Sequence, residues 1–129
     1  MGLDLRLYPL KDAKSLVGNV LAWNRLQFER DYRIFAQIAD VDGKSKVPEE
    51  ELAVVVRTQS LPPSVQVGLY EDEGLIDTTQ DAYGKEMTYA LAGDLRKIRL
   101  LEPVFPTNGA IMAYVRALPK NTPIILDWA

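Results

Sequence analysis

The chain has 129 residues, a usual length for one domain and too short for two ordinary ones. Apolar residues make up 47% and charged residues 26%, which is the composition of a globular rather than a disordered chain. The absence of cysteine and histidine excludes disulfides, thiolate nucleophiles, Cys- or His-ligated metals and histidine-dependent catalytic triads. Any chemistry must therefore use carboxylates, Lys, Arg, Tyr, Ser or Thr.

The formal net charge of −3 is distributed unevenly along the chain. Residues 40–86 carry eleven acidic and four basic side chains, whereas residues 1–39 and 87–129 each have a net charge of +2. Nucleic acid is disfavoured as the main ligand, because phosphate binding needs a basic stripe. The acidic middle segment instead fits a protein partner with a basic surface, a metal, mimicry of DNA, or a purely solubilising role.

The N-terminal sequence shows no targeting or membrane signal. Residues 1–8 alternate apolar and polar side chains, without the basic stretch and apolar run of a signal peptide. No apolar run approaches the ~18 residues of a membrane span. We therefore expect a cytoplasmic protein that does not contact membranes.

The first third of the chain predicts two strands and a helix. Residues 3–7 alternate leucine with charged side chains, which is typical of a half-buried strand, and Pro9 is expected to end it. A second strand is predicted around residues 20–24. The apolar period then lengthens to three residues, which predicts a helix over 29–39 with one apolar stripe.

The middle third is rich in turn and loop signals. Asp42-Gly43 predicts a turn, and Pro48 followed by three glutamates predicts one short helical turn. Residues 65–69 alternate again and predict a strand. The polar stretch 71–81 predicts either a hairpin or a mobile loop.

The last third predicts a strand, two helices and a strand. Residues 87–91 form the first strand, Gly93 opens the first helix, and Thr107 or Asn108 caps the second. Residues 124–128 form the closing strand. This order predicts a right-handed crossover to a parallel neighbour.

These elements predict an α+β fold in a single small domain spanning residues 1–129. We expect one mixed, mostly antiparallel sheet with two to three helices packed on one face. Apolar spacing places Leu95, Val115 and Ile124 in the core, whereas Trp23 and Trp128 are equally compatible with a core or an interface.

The most distinctive cluster of side chains lies in residues 71–81. Five acids fall within eleven residues that contain no base, and these acids are Glu71, Asp72, Glu73, Asp77 and Asp81. They are compatible with a solvated loop, a partner-binding surface, or a metal or acid–base site. Because such charges repel one another and are seldom buried, we predict an exposed segment whose acids the fold does not need.

A second acidic motif resembles a calcium loop only in part. Asp40 and Asp42 precede Glu51, which is the twelfth position counted from Asp40. However, the glycine falls at the fourth position instead of the sixth, and Lys44 occupies a ligand position. The motif is better interpreted as an Asp-Gly turn.

The chain carries a series of short blocks, which in order are Leu7-Tyr8-Pro9-Leu10, Asp31-Tyr32-Arg-Ile-Phe35, Asp81-Ala-Tyr83-Gly84, Thr88-Tyr89-Ala-Leu-Ala92-Gly93-Asp94-Leu95, Ala113-Tyr114-Val-Arg-Ala117-Leu118-Pro119 and Asn121-Thr122-Pro-Ile-Ile-Leu-Asp-Trp128. These blocks resemble a family of small proteins encoded by bacteriophages and prophages, for which no activity is established. Members similar to this chain often end in Leu-Tyr-Trp-His, whereas this chain ends in Leu-Asp-Trp-Ala, and they often have Asn-Arg-Ala where this chain has Asn108-Gly109-Ala110. The resemblance implies a phage-accessory protein, located in the host cytosol, and it implies no catalytic residue.

The leading functional hypothesis is a non-enzymatic interaction protein without a cofactor. It would bind a host or phage protein through the acids at 71–81, and could inhibit a defence protein by occupying its basic nucleic-acid groove. The alternative is a small-molecule or nucleotide-binding, sponge-like protein. Its candidate residues for base stacking and phosphate binding are Trp23, Tyr83, Tyr89, Arg25, Arg96 and Lys97. A metal-dependent hydrolase that uses only Asp and Glu is a third hypothesis.

Overall fold

The computed structural model describes residues 2–22, 24–71 and 74–129. The strands that it contains are, in chain order, β1 (Leu5–Pro9), β2 (Asn19–Ala22), β3 (Leu26–Gln27), β4 (Ile38–Ala39), β5 (Val56–Arg57), β6 (Gln59–Ser60), β7 (Gln66–Glu71), β8 (Gly74–Thr78), β9 (Thr88–Leu91) and β10 (Pro123–Trp128). The helices are α1 (Tyr32–Phe35), α2 (Ala92–Leu95) and α3 (Pro106–Ala117). No helix in the described ranges is long and apolar enough to cross a membrane.

The main sheet has the strand order β3-β1-β10-β9-β6, and its neighbouring strands are all antiparallel. Its centre is β10, in which every residue from Pro123 to Trp128 is buried. The predicted strands at 3–7 and 124–128 therefore pair with each other, with Leu5 opposite Trp128. Pro9 does end its strand, as the last residue of β1.

The helices pack on one face of the main sheet, as predicted. Leu5, Leu7, Ile124 and Leu126 from this face form one core with residues of α1, α2 and α3. The expected core residues Leu95, Val115 and Ile124 are all buried in it, and so is Trp128. The expected α+β class is confirmed, with a mixed and mostly antiparallel strand arrangement.

The helix predicted over 29–39 is wrong in length, because α1 is a single turn. Asp31 caps this turn by accepting a hydrogen bond from the Arg33 backbone N–H at 3.0 Å. Ile38 then enters β4, which pairs in parallel with β5. The three-residue spacing of apolar side chains reflects the shared burial of a helical turn and a short strand, and not a continuous helix.

The predicted caps of α3 are also wrong. Pro106 occupies the first helical turn, so Thr107 and Asn108 lie inside the helix. Asn108 is buried, and its side chain accepts from Glu29 N (2.8 Å) and donates to Glu29 O (3.0 Å). The polar side chain therefore ties the helix to the segment before α1 instead of capping the helix.

The predicted parallel crossover between the last two strands is wrong, because β9 and β10 are antiparallel. The chain leaves β9 and enters β10 at the same end of the sheet, where Gly93 N donates to Lys120 O and Ala92 N donates to Thr122 O, each at 2.9 Å. The connection through α2 and α3 therefore returns the chain to the end of the sheet at which it left β9.

A second sheet, which the sequence did not predict, covers the other face of the main sheet. In this outer sheet the strand order is β2-β7-β8, with β2 and β7 parallel and β7 and β8 antiparallel. Val20, Val67 and Leu69 pack against Tyr8 and Ile125 of the main sheet in a second core. The expectation of one mixed sheet therefore accounts for only part of the strands.

The predicted helical turn after Pro48 is a tight turn instead. Leu52 N donates to Glu49 O at 3.2 Å, and these two residues form an isolated β-bridge. The preference of the following valines for extended backbone prevails over the helical signal of Pro48 and its glutamates.

Candidate functional site

The acidic segment 71–81 is a β-hairpin over most of its described residues. Glu71 ends β7 and pairs with Gly74 at the start of β8, so of the two predicted alternatives, a hairpin or a mobile loop, residues 74–78 form the hairpin. Glu71 and Asp77 are exposed, as predicted. Asp72 and Glu73 lie outside the described residues.

Asp81 does not belong to this exposed surface, so the predicted exposure of the segment is wrong at this residue. It is buried, and its Oδ1 accepts hydrogen bonds from Tyr83 N (2.9 Å) and Lys85 N (3.1 Å). Its backbone N–H also donates to Lys85 O at 2.8 Å. The carboxylate organises the turn that leads to β9, which is the usual local role of aspartate in a turn.

The outer sheet presents an exposed apolar surface beside the hairpin acids. Side chains alternate along a strand, so the residues that face away from the core lie together on one face, which includes Asn19, Leu21, Gln66, Gly68, Tyr70, Leu75 and Asp77. Leu21, Tyr70 and Leu75 are 37%, 48% and 53% exposed. We call this surface the outer face.

The centre of the outer face is a glycine. A Cβ at Gly68 would lie 3.3 Å from Leu21 Cδ1, 3.3 Å from Asp77 Oδ1 and 3.4 Å from Leu75 Cδ1. The missing side chain therefore lets two leucines and a carboxylate converge on one spot. The result is a small apolar platform with an acidic group at its margin.

The acids of the outer face and of the hairpin end have no ion-pair partner among the described residues. No ion pair joins Asp77 or Glu71 to a basic side chain in the described part of the chain. By contrast, Glu49, Glu50 and Glu51 line a separate cavity together with Arg33 and Arg99.

The remaining acids of the middle segment lie elsewhere. Asp40 lies 3.2 Å from Lys46 Nζ, and Asp42 Oδ1 accepts from Lys44 N at 2.9 Å. Within residues 2–22, 24–71 and 74–129, no group of three or more carboxylates is arranged to hold a metal ion. Asp42-Gly43 forms the predicted turn, and Glu51 lines a cavity that neither Asp40 nor Asp42 lines.

The residues proposed for nucleotide binding are not brought together as a set. Tyr83 Oη contacts Gly2 O and Ala129 O, whereas Tyr89 Oη donates to Gln59 Oε1 at 3.1 Å. Of the three basic residues, Arg25 contacts Tyr8, Arg96 contacts Leu118 O, and Lys97 pairs with Asp94. Trp23 lies outside the described residues.

A buried ionisable group between the two sheets was missed by the sequence analysis. Asp127 is buried on the face of the main sheet that meets the outer sheet, opposite Arg6 of β1. Burial raises the pKa of Asp127 to about 6; Arg6 and Arg25 oppose this shift, and Asp81 and Glu71 add to it. The sequence contained a signal for this buried group. Asp127 is a charged residue among the five apolar residues of β10, and strand alternation places it on the opposite face of the sheet from Trp128.

The raised pKa of Asp127 makes stability depend on pH. The folded chain holds this proton more tightly than the unfolded chain, so the resulting stabilisation is complete below the ordinary pKa of 3.8 and is lost as pH rises through about 6. We expect Asp127→Asn to raise the free energy of unfolding at pH 8 by roughly 1–2 kcal/mol, after allowance for solvent screening. At pH 4 the gain should be much smaller.

Urea denaturation of both proteins from pH 4 to pH 8 measures this effect. Asp94→Asn is the matched control, because the Asp94 side chain is exposed and its only ion pair with a described residue is the exposed one with Lys97. Parallel pH profiles for the original chain and Asp127→Asn would contradict the assignment.

Comparisons with known proteins give no further guidance. No protein-family model, no curated protein and no solved structure significantly matches this chain.

Proposed function

We propose that this chain is a non-enzymatic interaction protein that binds a protein partner with a basic surface through the outer face. The supporting observation is the exposure of Leu21, Tyr70 and Leu75 beside Asp77, with Glu71 at the nearby end of β7. Contiguous apolar side chains on a surface, bordered by polar groups, are typical of protein-binding sites.

The chemistry of the outer face favours lysine and arginine side chains from the partner. The alkyl stem of either residue can lie on the platform formed by Leu21 and Leu75, while its charged head reaches the Asp77 carboxylate. The acidic residues Asp72 and Glu73 add to the negative charge of the hairpin sequence. Association would therefore be accelerated by charge and weakened by salt.

The same charge disfavours a second copy of the chain as the occupant. In a two-fold symmetric dimer each Asp77 would meet the identical surface, which brings like charges together without a base. The resemblance to phage proteins extends the proposal to a host or phage partner, including a defence protein whose basic nucleic-acid groove the chain would occupy.

Neutralising the hairpin acids should weaken partner binding without unfolding the chain. We expect Glu71→Gln with Asp77→Asn to weaken partner binding about tenfold or more, equivalent to about 1.4 kcal/mol. The melting temperature should stay the same or rise slightly, since both side chains are exposed and neither forms an ion pair with a described residue.

Capture from a bacterial lysate, quantified by mass spectrometry, provides the test. The matched control is Glu50→Gln with Glu51→Gln, which removes the same charge from another exposed site. A basic protein that the original and control chains retain, that the hairpin variant loses, and whose affinity falls with salt would support the proposal. Equal capture by all three chains, or no basic protein captured by the original chain, would contradict it.

A further inference from the structure

The last strand of the outer sheet, β8, has an open edge. The outer sheet has the order β2-β7-β8, so β8 pairs with β7 on one side, and residues 74–77 are all exposed. Of the four strands that end the two larger sheets in the described part of the chain, β8 is the longest, with five residues against four in β2 and two each in β3 and β6. It contains no proline and no basic residue. The edge therefore lacks the features that usually prevent another strand from pairing with it.

One hydrogen bond shows which backbone groups of β8 face the open edge. Gln66 N in β7 donates to Gly18 O, just before β2, so the backbone groups of Gln66 point toward β2. Backbone groups alternate in direction along a strand, so the odd-numbered residues of β7 face β8, and these pair with the even-numbered residues of β8. The N–H and C=O groups of Leu75 and Asp77 therefore point away from β7, toward the open edge.

These two residues present four backbone groups that another strand can pair with. Among the described residues, no hydrogen bond outside the strand ladders involves the backbone of Leu75 or Asp77. Backbone N–H and C=O groups are strong donors and acceptors, and one added strand would pair all four. The side chains of the same two residues lie on the outer face, so an added strand would also lie against that face.

The side chains beside the open edge indicate which sequence fits there. Asp77 is exposed and forms no ion pair with a described residue. Directly opposite residues of an antiparallel pair have Cβ atoms about 4.5–5.5 Å apart, so a base opposite Asp77 reaches its carboxylate. Ile76 points to the other face of β8 and is 44% exposed, so it offers an apolar contact there. A segment that alternates basic and apolar residues matches both faces.

A second copy of the chain fits this edge less well. Pairing two β8 strands would bring together two hairpin segments, each with five acids and no base in residues 71–81. Like charges across a strand pair are destabilising, and opposite charges are favourable. The charge of the hairpin therefore favours a basic segment.

We propose that β8 binds an extended segment of the basic partner as a fourth, antiparallel strand of the outer sheet. The segment alternates Lys or Arg with apolar residues, and its bases lie on the outer face opposite Leu75 and Asp77. Antiparallel pairing is the more stable arrangement per residue. Backbone hydrogen bonds supply affinity and the alternating side chains supply specificity. This inference rests on the proposed function, because it specifies how the basic partner contacts the outer face.

N-methylated peptides test for strand addition with the original chain. The probe is a fluorescein-labelled peptide of sequence Lys-Val-Lys-Val-Lys-Val, and fluorescence anisotropy at low salt measures its affinity. Lysines opposite Leu75 and Asp77 direct their backbone N–H groups to β8, whereas the valine N–H groups point to solvent. Methylating the lysine amides should weaken binding about tenfold or more. Methylating the valine amides is the matched control, with the same charge and length, and should leave binding nearly unchanged.

Variants at residue 75 test the same edge in the protein. Leu75→Pro and Leu75→Ala both remove the leucine side chain, but only proline removes the N–H that faces the edge. Because β7 does not use that N–H, Leu75→Pro should stay folded and bind the peptide about tenfold more weakly than Leu75→Ala. Ile76→Pro removes an N–H that faces β7, so it should lower the melting temperature far more than Leu75→Pro does.

Three results would overturn strand addition. The first is normal binding of the lysine-methylated peptide, or Leu75→Pro binding as well as Leu75→Ala; if Asp77→Asn or added salt still weakens binding, the outer-face proposal remains intact. The second is no binding of the unmodified peptide, in which case capture from a lysate decides the outer-face proposal separately. The third is a dimer in sedimentation that Leu75→Pro dissociates, which would assign the edge to a second copy.

Discussion

Phe35→Ala should lower the free energy of unfolding by about 3–5 kcal/mol, the range for truncating a buried aromatic ring. Phe35 is fully buried, and its ring packs against Phe28, Tyr32 and Trp128 with centroid distances of 6.4, 5.9 and 5.4 Å. This cluster joins α1 to the central strand of the main sheet. The alanine variant loses those contacts and leaves a cavity, because the surrounding backbone is held by β10 and by the hydrogen bonds of α1.

Chemical denaturation at constant pH gives this free energy directly. Phe105→Ala is the control, because Phe105 is substantially exposed just before α3 and its truncation should cost no more than about 1 kcal/mol. Similar losses for the two variants would mean that α1 does not pack on β10 as described.

Asn108→Ala should cost about 2–4 kcal/mol, although alanine is the better helix former. The asparagine amide satisfies both backbone groups of Glu29, through bonds of 2.8 and 3.0 Å, from within a buried face of α3. Truncation leaves the Glu29 N–H and C=O without those partners. The large cost would show that this polar residue joins two segments 79 positions apart in sequence.

Two further variants separate this role from helix capping. Asn108→Asp keeps the acceptor for Glu29 N but loses the donor to Glu29 O, so it should also be destabilised. Thr107→Ala should change stability by less than about 0.5 kcal/mol, since Thr107 is exposed inside α3. If Thr107→Ala were the more damaging substitution, a capping role at the start of α3 would be restored.

Strict alternation was the most dependable sequence signal in this chain. Residues 3–7 and 65–69 alternate and correspond to β1 and β7, whereas β10 was indicated by the continuous apolar run at 124–126, and all of its residues are buried. Apolar spacing also located the buried side of α3. The pattern of buried side chains in these elements follows from local backbone geometry, so it can be recognised in a single sequence.

Elements that depend on distant partners were not predictable in the same way. The length of α1 is limited because Ile38 pairs with Val56, and the direction of β10 is fixed by contacts between Gly93 and Lys120. The outer sheet requires β2 to pair in parallel with β7, some 47 residues away. Nothing local in residues 19–22 specifies that partner.

The candidate site likewise has features that the local sequence predicted and features that depend on distant contacts. The exposure predicted for the acids of 71–81 is correct for Glu71 and Asp77. Because that prediction depended on charge alone, it is wrong for Asp81. Asp81 is buried because its carboxylate organises the turn at 81–85, which depends on backbone geometry. The apolar part of the outer face was missed, since Leu21 and Leu75 come together only through the pairing of β2, β7 and β8.

Site-specific photo-crosslinking tests the central claim, that the outer face binds a basic protein. A photoreactive amino acid is placed at Leu75 on the outer face or at Val54, which is exposed and follows the acids 49–51 in the sequence. In a bacterial lysate at low salt, position 75 should cross-link a basic protein, and the yield should fall sharply above about 0.5 M salt, where charges are screened. Position 54 should cross-link far less of it. Equal yields from both positions, or no basic protein cross-linked from position 75, would contradict the claim.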